Sequence, residues 1–237
     1  MISHFLNRLT WRPHRHSQAR PTFATSKFRR LSREQLEKRN LLAVDLDLFG
    51  AQTLVGSANI NVSQEPTSAQ SEMSVDINPT NPLNIAGFSH DIGSGFDEID
   101  VFFSIDGGQT WNTTTIDDGT NGTNDGLGGT PAGRPGRFDP SIAFDANGDL
   151  YVAYGHINTA RTRERLVVAR SQDGGQTFTQ FTVVDDQTVT VAERRLDKWH
   201  LATGVDPSTG NEAVYVSYID FTAESGMTDA HVKVSGS

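Results

Sequence analysis

The sequence predicts an all-β fold built from repeated four-stranded antiparallel sheets, and three observations carry that reading. The octapeptides SIDGGQTW (Ser104 to Trp111) and SQDGGQTF (Ser171 to Phe178) are near-copies set 67 residues apart. Each follows an apolar, strand-like run, IDVFFS and LVVARS. The chain is rich in glycine, with 22, and poor in long stretches of helical period. Self-similarity at a fixed period outweighs the one or two ordinary domains that 237 residues would otherwise suggest.

Taken from the N-terminus, the first thirty residues carry Arg, His, Ser and Thr but no acidic residue, so they cannot build a core and read as a disordered basic leader. A short helix is expected next. Ser32 and Gln35 form a capping-box pair, Leu31 and Leu36 sit where a hydrophobic staple joins them, and the pattern fades near Ala43. The segment lacks the apolar centre of a secretory signal. LEKRNLLA (Leu36 to Ala43), behind its Arg-rich run, resembles the L-E-x-R-x-L-L-A leader of large exported bacterial proteins, which implies export to the cell surface or the extracellular space. Residues 1–43 are thus a leader and residues 44–71 a linker, in which DLDLFGAQTLVGSANINV can supply a closing strand.

Three stretches of the remainder align as strand, turn and strand: SVDINPTNPLNIAGFSH, SIAFDANGDLYVAYGH and HLATGVDPSTGNEAVYVSYID. Their turns hold Asn, Gly, Asp and Pro, which tolerate positive φ or preset a negative one. A third strand (IDVFF, LVVAR, VKVSG) leads into the octapeptide and a fourth (TWNTTTI, FTQFTVV) leaves it. Radial repetition of such units gives propeller blades, so residues 72–237 are expected to form a partial β-propeller of two blades and most of a third. Ser237 falls 66 residues after Ser171, where a third octapeptide would begin. Such an arc leaves apolar faces open at both ends and VKVSG as an edge strand, so low stability or self-association is expected.

Charge narrows the partners. The net charge of −9 conceals ten Lys or Arg against two Asp or Glu in residues 1–43, and ten basic against twenty-seven acidic residues in the rest. So acidic a body argues against nucleic acid as a partner. No run of eighteen apolar residues offers a transmembrane helix. With no cysteine there is no disulfide framework or thiolate chemistry.

In the octapeptide, paired glycines permit a tight reversal, the Asp carboxylate can accept turn N–H bonds, and the aromatic ring is expected to fold between sheets. Ser104, Asp106, Gly108, Thr110 and Trp111, and likewise Ser171, Asp173, Gly175, Thr177 and Phe178, are therefore read as structural. Both copies resemble the Asp box, or BNR repeat, of sialidases and similar β-propellers. The resemblance implies a sialidase-like blade, with the box at the turn between the third and fourth strands and any active site on the opposite rim.

On that rim the residues just before each first strand and just after each second strand become the candidates. Arg134, Arg137, Asp139, Glu193, Asp197 and His200 are the catalytic candidates. Arg194, Arg195, Lys198, His90, Asp91, His156 and Asp220 are the binding candidates, with His90 and His156 read as one repeat position. Arginine forks suit a carboxylate sugar, and sialidases, by resemblance, grip their substrate with such a cluster. Arg194 and Arg195 can instead pair with Glu193 and Asp197. The F-R-I-P motif that supplies the first arginine of many sialidases is absent. No metal cluster is read in DANGDL, a turn sequence, and no cofactor is expected, although the Asp117 to Asp125 loop has oxygen ligands of the kind that hold Ca²⁺. The expected function is that of an exported, glycan-directed propeller, a glycoside hydrolase when full length. The alternative is a non-catalytic scaffold that binds protein or glycan.

Overall fold

Three antiparallel sheets follow one another along the chain. The computed structural model describes residues 59–64, 69–91, 98–120, 122–130, 136–190, 195–221 and 230–236. The first sheet contains β1 (Gln70–Ile77), β2 (Ile85–Asp91), β3 (Ile99–Ser104) and β4 (Asn112–Asp117), with a two-residue parallel strand β5 (Thr123–Asn124) beside β4. The second contains β6 (Arg137–Phe144), β7 (Leu150–Ile157), β8 (Arg163–Ser171) and β9 (Gln180–Thr188). The third contains β10 (Leu196–Val205), β11 (Glu212–Phe221) and β12 (Ala230–Gly236). Strand order equals chain order in each sheet, and no helix occurs among the described residues. The fold is all-β, a partial β-propeller. The contacts of the chain divide it into two units, Met1–Ala58 and Asn59–Ser237. The leader, its expected helix and nearly all of the linker lie outside the described residues.

The first strands β1, β6 and β10 lie side by side and form the inner edge of the arc. Hydrogen bonds cross between them: Phe144 N donates to Asp76 Oδ2 at 2.7 Å, Leu201 N to Ser141 Oγ at 3.0 Å, and Thr203 Oγ1 to Phe144 O at 2.7 Å. Outward from this edge the sheets stack through two cores. Phe88, Ile99, Val101 and Ile116 of the first sheet meet Ile142, Phe144, Leu150, Val152, Tyr154 and Val167 of the second. Phe138, Ala153 and Leu166 of the second meet Leu196, Trp199, Val216 and Tyr218 of the third. Gly155 permits this second packing, since a Cβ there would stand 2.4 Å from the Trp199 ring.

The two octapeptide turns share one hydrogen-bond pattern. Ser104 Oγ donates to Asp106 Oδ1 at 2.8 Å and accepts from Gly108 N at 2.8 Å, while Thr110 donates its amide and hydroxyl to the Asp106 carboxylate at 2.9 and 2.6 Å. Ser171, Asp173, Gly175 and Thr177 repeat every one of these bonds. The Thr110 hydroxyl and amide and the Ser104 hydroxyl hold the half-buried Asp106 carboxyl down at about 2. Burial acts to raise Asp173, but the Thr177 hydroxyl and amide and the Ser171 hydroxyl outweigh it, so its pKa is also lowered. The aromatic residues part company. Phe178 packs into the first core, whereas Trp111 is half-buried and turns its indole N–H onto Gly108 O at 3.1 Å. The second turn has the first sheet to seat on: Thr114 Oγ1 donates to Gly175 O at 2.8 Å and Asn84 Nδ2 to Gly174 O at 3.0 Å.

Two sequence expectations change. The inner strands begin four residues ahead of the aligned SVDI, SIAF and HLAT stretches, so Arg137, Asp139, Asp197 and Lys198 lie within β6 and β10 rather than before them, and His200 lies within β10. The cause is a β-bulge in each inner strand, between Ser71 and Ser74, Phe138 and Ser141, and Asp197 and His200, which breaks the period-2 pattern. Second, His90 and His156 do not share a position. His90 pairs with Ser71 as Gly155 pairs with Phe138, whereas His156 pairs with Arg137 as Asp91 pairs with Gln70 and Asp220 with Leu196. The β1–β2 turn is longer than the β6–β7 turn, and the resulting one-residue slip puts the two histidines on opposite faces.

Candidate functional site

Each inner-strand bulge opens with a non-glycine residue at positive φ: Glu72 at φ 57, Asp139 at φ 52 and Lys198 at φ 51. The left-handed conformation is costly for a residue with a Cβ, and bulges of this kind re-aim a side chain away from the pleat. Here the sheet register makes the three positions equivalent, since each bulge follows the residue paired with His90, Gly155 or Ile219. Three charged side chains therefore stand at one level on adjacent inner strands. Glu72 Oε2 accepts Asp139 N at 3.2 Å and lies 3.6 Å from His90 Nδ1. Asp139 Oδ2 accepts no hydrogen bond from a protein group and lies 3.7 Å from Lys198 Nζ, which is also 3.9 Å from Asp197 Oδ1. Glu72 and Lys198 are exposed, and Asp139 and Asp197 are half-buried. The exposed Glu72 carboxylate and Lys198 ammonium can grip hydroxyl groups, and Asp139, set between them with its Oδ2 buried, completes the row.

The other candidates are held in pairs. Arg137 is fully buried; its Nε and Nη2 reach the two oxygens of Asp125 at 2.8 and 2.9 Å, and Nη2 also reaches Gly128 O at 3.2 Å. Tyr154 OH donates to the same carboxylate at 3.0 Å, and burial with the Asp125 charge raises the phenol well above its ordinary value. His156, also buried, has Nε2 3.3 Å from Gly128 O, and burial followed by the Arg137 charge lowers its pKa to about 4. Neutral at physiological pH, it anchors the loop ahead of β6. Arg195 donates Nη2 to Asp220 Oδ1 at 3.4 Å and its amide to the buried Glu164 at 2.6 Å, while Asp220 Oδ2 lies 2.5 Å from Lys233 Nζ. His90 and Asp91 are buried in β2, and His200 is exposed in β10. Arg134, Glu193 and Arg194 lie outside the described residues.

Sequence reasoning missed Glu72, although it stands 67 residues before Asp139, the spacing of the octapeptides. The proposed Ca²⁺ loop has its acids engaged: Asp125 by Arg137 and Tyr154, and Asp117 Oδ1 by Gly119 N at 2.7 Å. No group of three metal-ligating side chains occurs among the described residues. A cavity of about 440 Å³ between the second and third sheets, lined by Tyr151, Arg170, Gln180, Val214 and Gly236, opens at the octapeptide end, away from the bulges.

No family model and no curated protein sequence matches the chain. Among solved structures it is similar to the Penicillium chrysogenum alpha-L-arabinanase complexed with arabinobiose, at 15% identity and a TM-score of 0.48 over 71% of this chain and 46% of that one. The alpha-L-arabinofuranosidase of Fusarium graminearum with arabinobiose gives 12% and 0.47 over 71% and 45%. The leech intramolecular trans-sialidase gives 14% and 0.35 over 67% and 23%. The chain spans less than half the length of each of these structures.

Proposed function

We propose that the chain is the glycan-binding rim of an exported β-propeller, with Glu72, Asp139 and Lys198 as the residues that meet the sugar. The observation that carries this reading is the threefold repetition of a strained bulge, each presenting a charged side chain at one level of the inner edge. Strained backbone clusters at sites that bind or react, and bulges of this kind re-aim side chains beside them, which supports the reading. Glu72 and Asp139 are the pair we assign to acid and base roles in glycoside hydrolysis by the complete protein, since that reaction takes two carboxyl groups flanking one bond. A neutral sugar fits better than a sialic acid. Arg137 and Arg195 are committed to Asp125 and Asp220, and the bulge row with its neighbour Asp197 holds three carboxylates against Lys198. Export rests on the LEKRNLLA leader.

The test is a glycan-binding titration with neutral and sialylated oligosaccharides. Glu72→Gln, Asp139→Asn and Lys198→Ala should each weaken binding of a neutral glycan on the order of tenfold, about 1.4 kcal/mol, with the melting temperature nearly unchanged. Unimpaired binding by the triple variant, or a preference for the sialylated ligand, would sink the reading.

A further inference from the structure

Of the three bulge residues, Glu72 is the one that stands against a buried histidine. His90, 3% exposed, lies in β2 between its partners Ser71 of β1 and Ile99 of β3. Its Nδ1 is 3.6 Å from Glu72 Oε2, the same oxygen that accepts the Asp139 amide at 3.2 Å. At the matching register position the other two sheets hold Gly155 and Ile219, neither of which offers a side-chain hydrogen bond. Over Gly155 the Phe138 and Trp199 rings come so close that a Cβ would stand 2.5 and 2.4 Å from them. Packing at this level is thus met in the second sheet with no side chain at all, so a histidine is not part of the common frame of the repeat. The rest of the row is steadied differently: Asp139 and Lys198 face each other across 3.7 Å, and Lys198 has Asp197 at 3.9 Å as well. Glu72 has a longer, 41% exposed side chain, whose several rotatable bonds must be fixed before its carboxylate can meet a ligand.

We infer that His90 is the positioning residue of this row: it holds the Glu72 carboxylate in the orientation that meets a sugar hydroxyl, and it touches no ligand itself. The inference rests on the reading of Glu72 as a sugar contact. An imidazole suits the task, because a ring nitrogen can donate to a carboxylate in the neutral or the protonated form. Burial in a strand paired on both sides leaves the ring little freedom of its own. Two anchors on Oε2, one from β2 and one from β6, leave Oε1 to accept from the ligand. A carboxylate held in this way binds without first giving up its rotamer freedom, which is how a buried supporting group raises affinity through another residue.

The experiment is a titration of the 237-residue chain with the neutral oligosaccharides that test the rim, run on His90→Leu, His90→Asn, Glu72→Gln and the double variant His90→Leu with Glu72→Gln. His90→Leu should weaken binding about fivefold. His90→Asn, whose amide nitrogen falls near the place of Nδ1, should bring it back to within about twofold of the parent. In the double variant the loss should equal that of Glu72→Gln alone, since His90 acts through that carboxylate. Nitrogen NMR of the free protein adds a readout that needs no ligand and decides the matter even if His90→Leu does not fold: the His90 Nδ1 resonance should move in Glu72→Gln while those of the other histidines stay. Parent-like binding by His90→Leu, equal losses from the Leu and Asn variants, additive losses in the double variant, or an unmoved His90 resonance each overturn the inference and leave the rim assignment standing. A parent that binds no neutral oligosaccharide, or a Glu72→Gln variant that binds as the parent does, removes the rim assignment and this inference with it.

Discussion

Removing the Arg137 guanidinium tests the assignment of that residue to the framework rather than to the rim. Arg137→Met keeps the length of the side chain and deletes its charge inside a site where both Arg137 and Asp125 side chains have zero exposure. Asp125 would keep the Tyr154 hydroxyl and the Leu127 amide, at 3.0 and 2.9 Å, but lose two charge-assisted bonds, and Gly128 O would lose a donor. Breaking a buried ion pair from one side costs about 3 to 5 kcal/mol, because the surviving charge is stranded in a medium that solvates it poorly. Against a total of about 5 to 15 kcal/mol for a typical domain, this is a large fraction. In urea, with a slope of about 1 to 3 kcal/mol per molar, the midpoint should fall by at least about 1 M. A second variant, Asp125→Asn, should cost a similar amount alone. The double variant should cost clearly less than the two together, because neither leaves a charge behind. A midpoint shift for Arg137→Met equivalent to less than about 1 kcal/mol, with sugar binding lost, would return Arg137 to the role of a ligand.

Other outcomes follow from the same contacts. Asp173→Ala should lower the melting temperature more than Asp106→Ala, since the second octapeptide turn seats on the first sheet through Thr114 and Asn84; equal losses in calorimetry would refute that. His156 is neutral in the fold with a pKa of about 4 against an ordinary 6.5, so the unfolded chain binds the extra proton between these values. Stability is therefore full above about pH 6.5 and falls by up to about 3 kcal/mol as pH drops toward 4. His156→Gln should flatten that slope in denaturant titrations, and an unchanged slope would assign it to other groups. Lys198→Gly should raise stability by about 1 kcal/mol through relief of the positive φ while weakening sugar binding; a loss of stability would mean that the bulge is not strained. Residues 1–43 fused to a reporter should direct it out of the bacterial cytoplasm, and retention inside would end the export proposal.

The repeat was legible from the chain alone because its signals are local. Glycine pairs, the Ser-Asp-Thr set of the octapeptide and the Asn, Asp and Pro turns each act on their own few residues, so SIDGGQTW and SQDGGQTF announce a turn wherever they stand. The alternating runs beside them, such as IDVFFS and LVVARS, mark strands for the same reason. What the tertiary structure decided is which polar groups meet. Arg137 is a rim arginine on paper, yet twelve residues upstream Asp125 folds back to capture it, and no period in the sequence encodes that contact. His90 and His156 look equivalent at a spacing of 66, but unequal turns shift the register by one residue, and in a strand one residue is the whole difference between faces. Glu72, Asp139 and Lys198 share no residue type, so only the bulge, a product of pairing between strands, shows that they occupy one position.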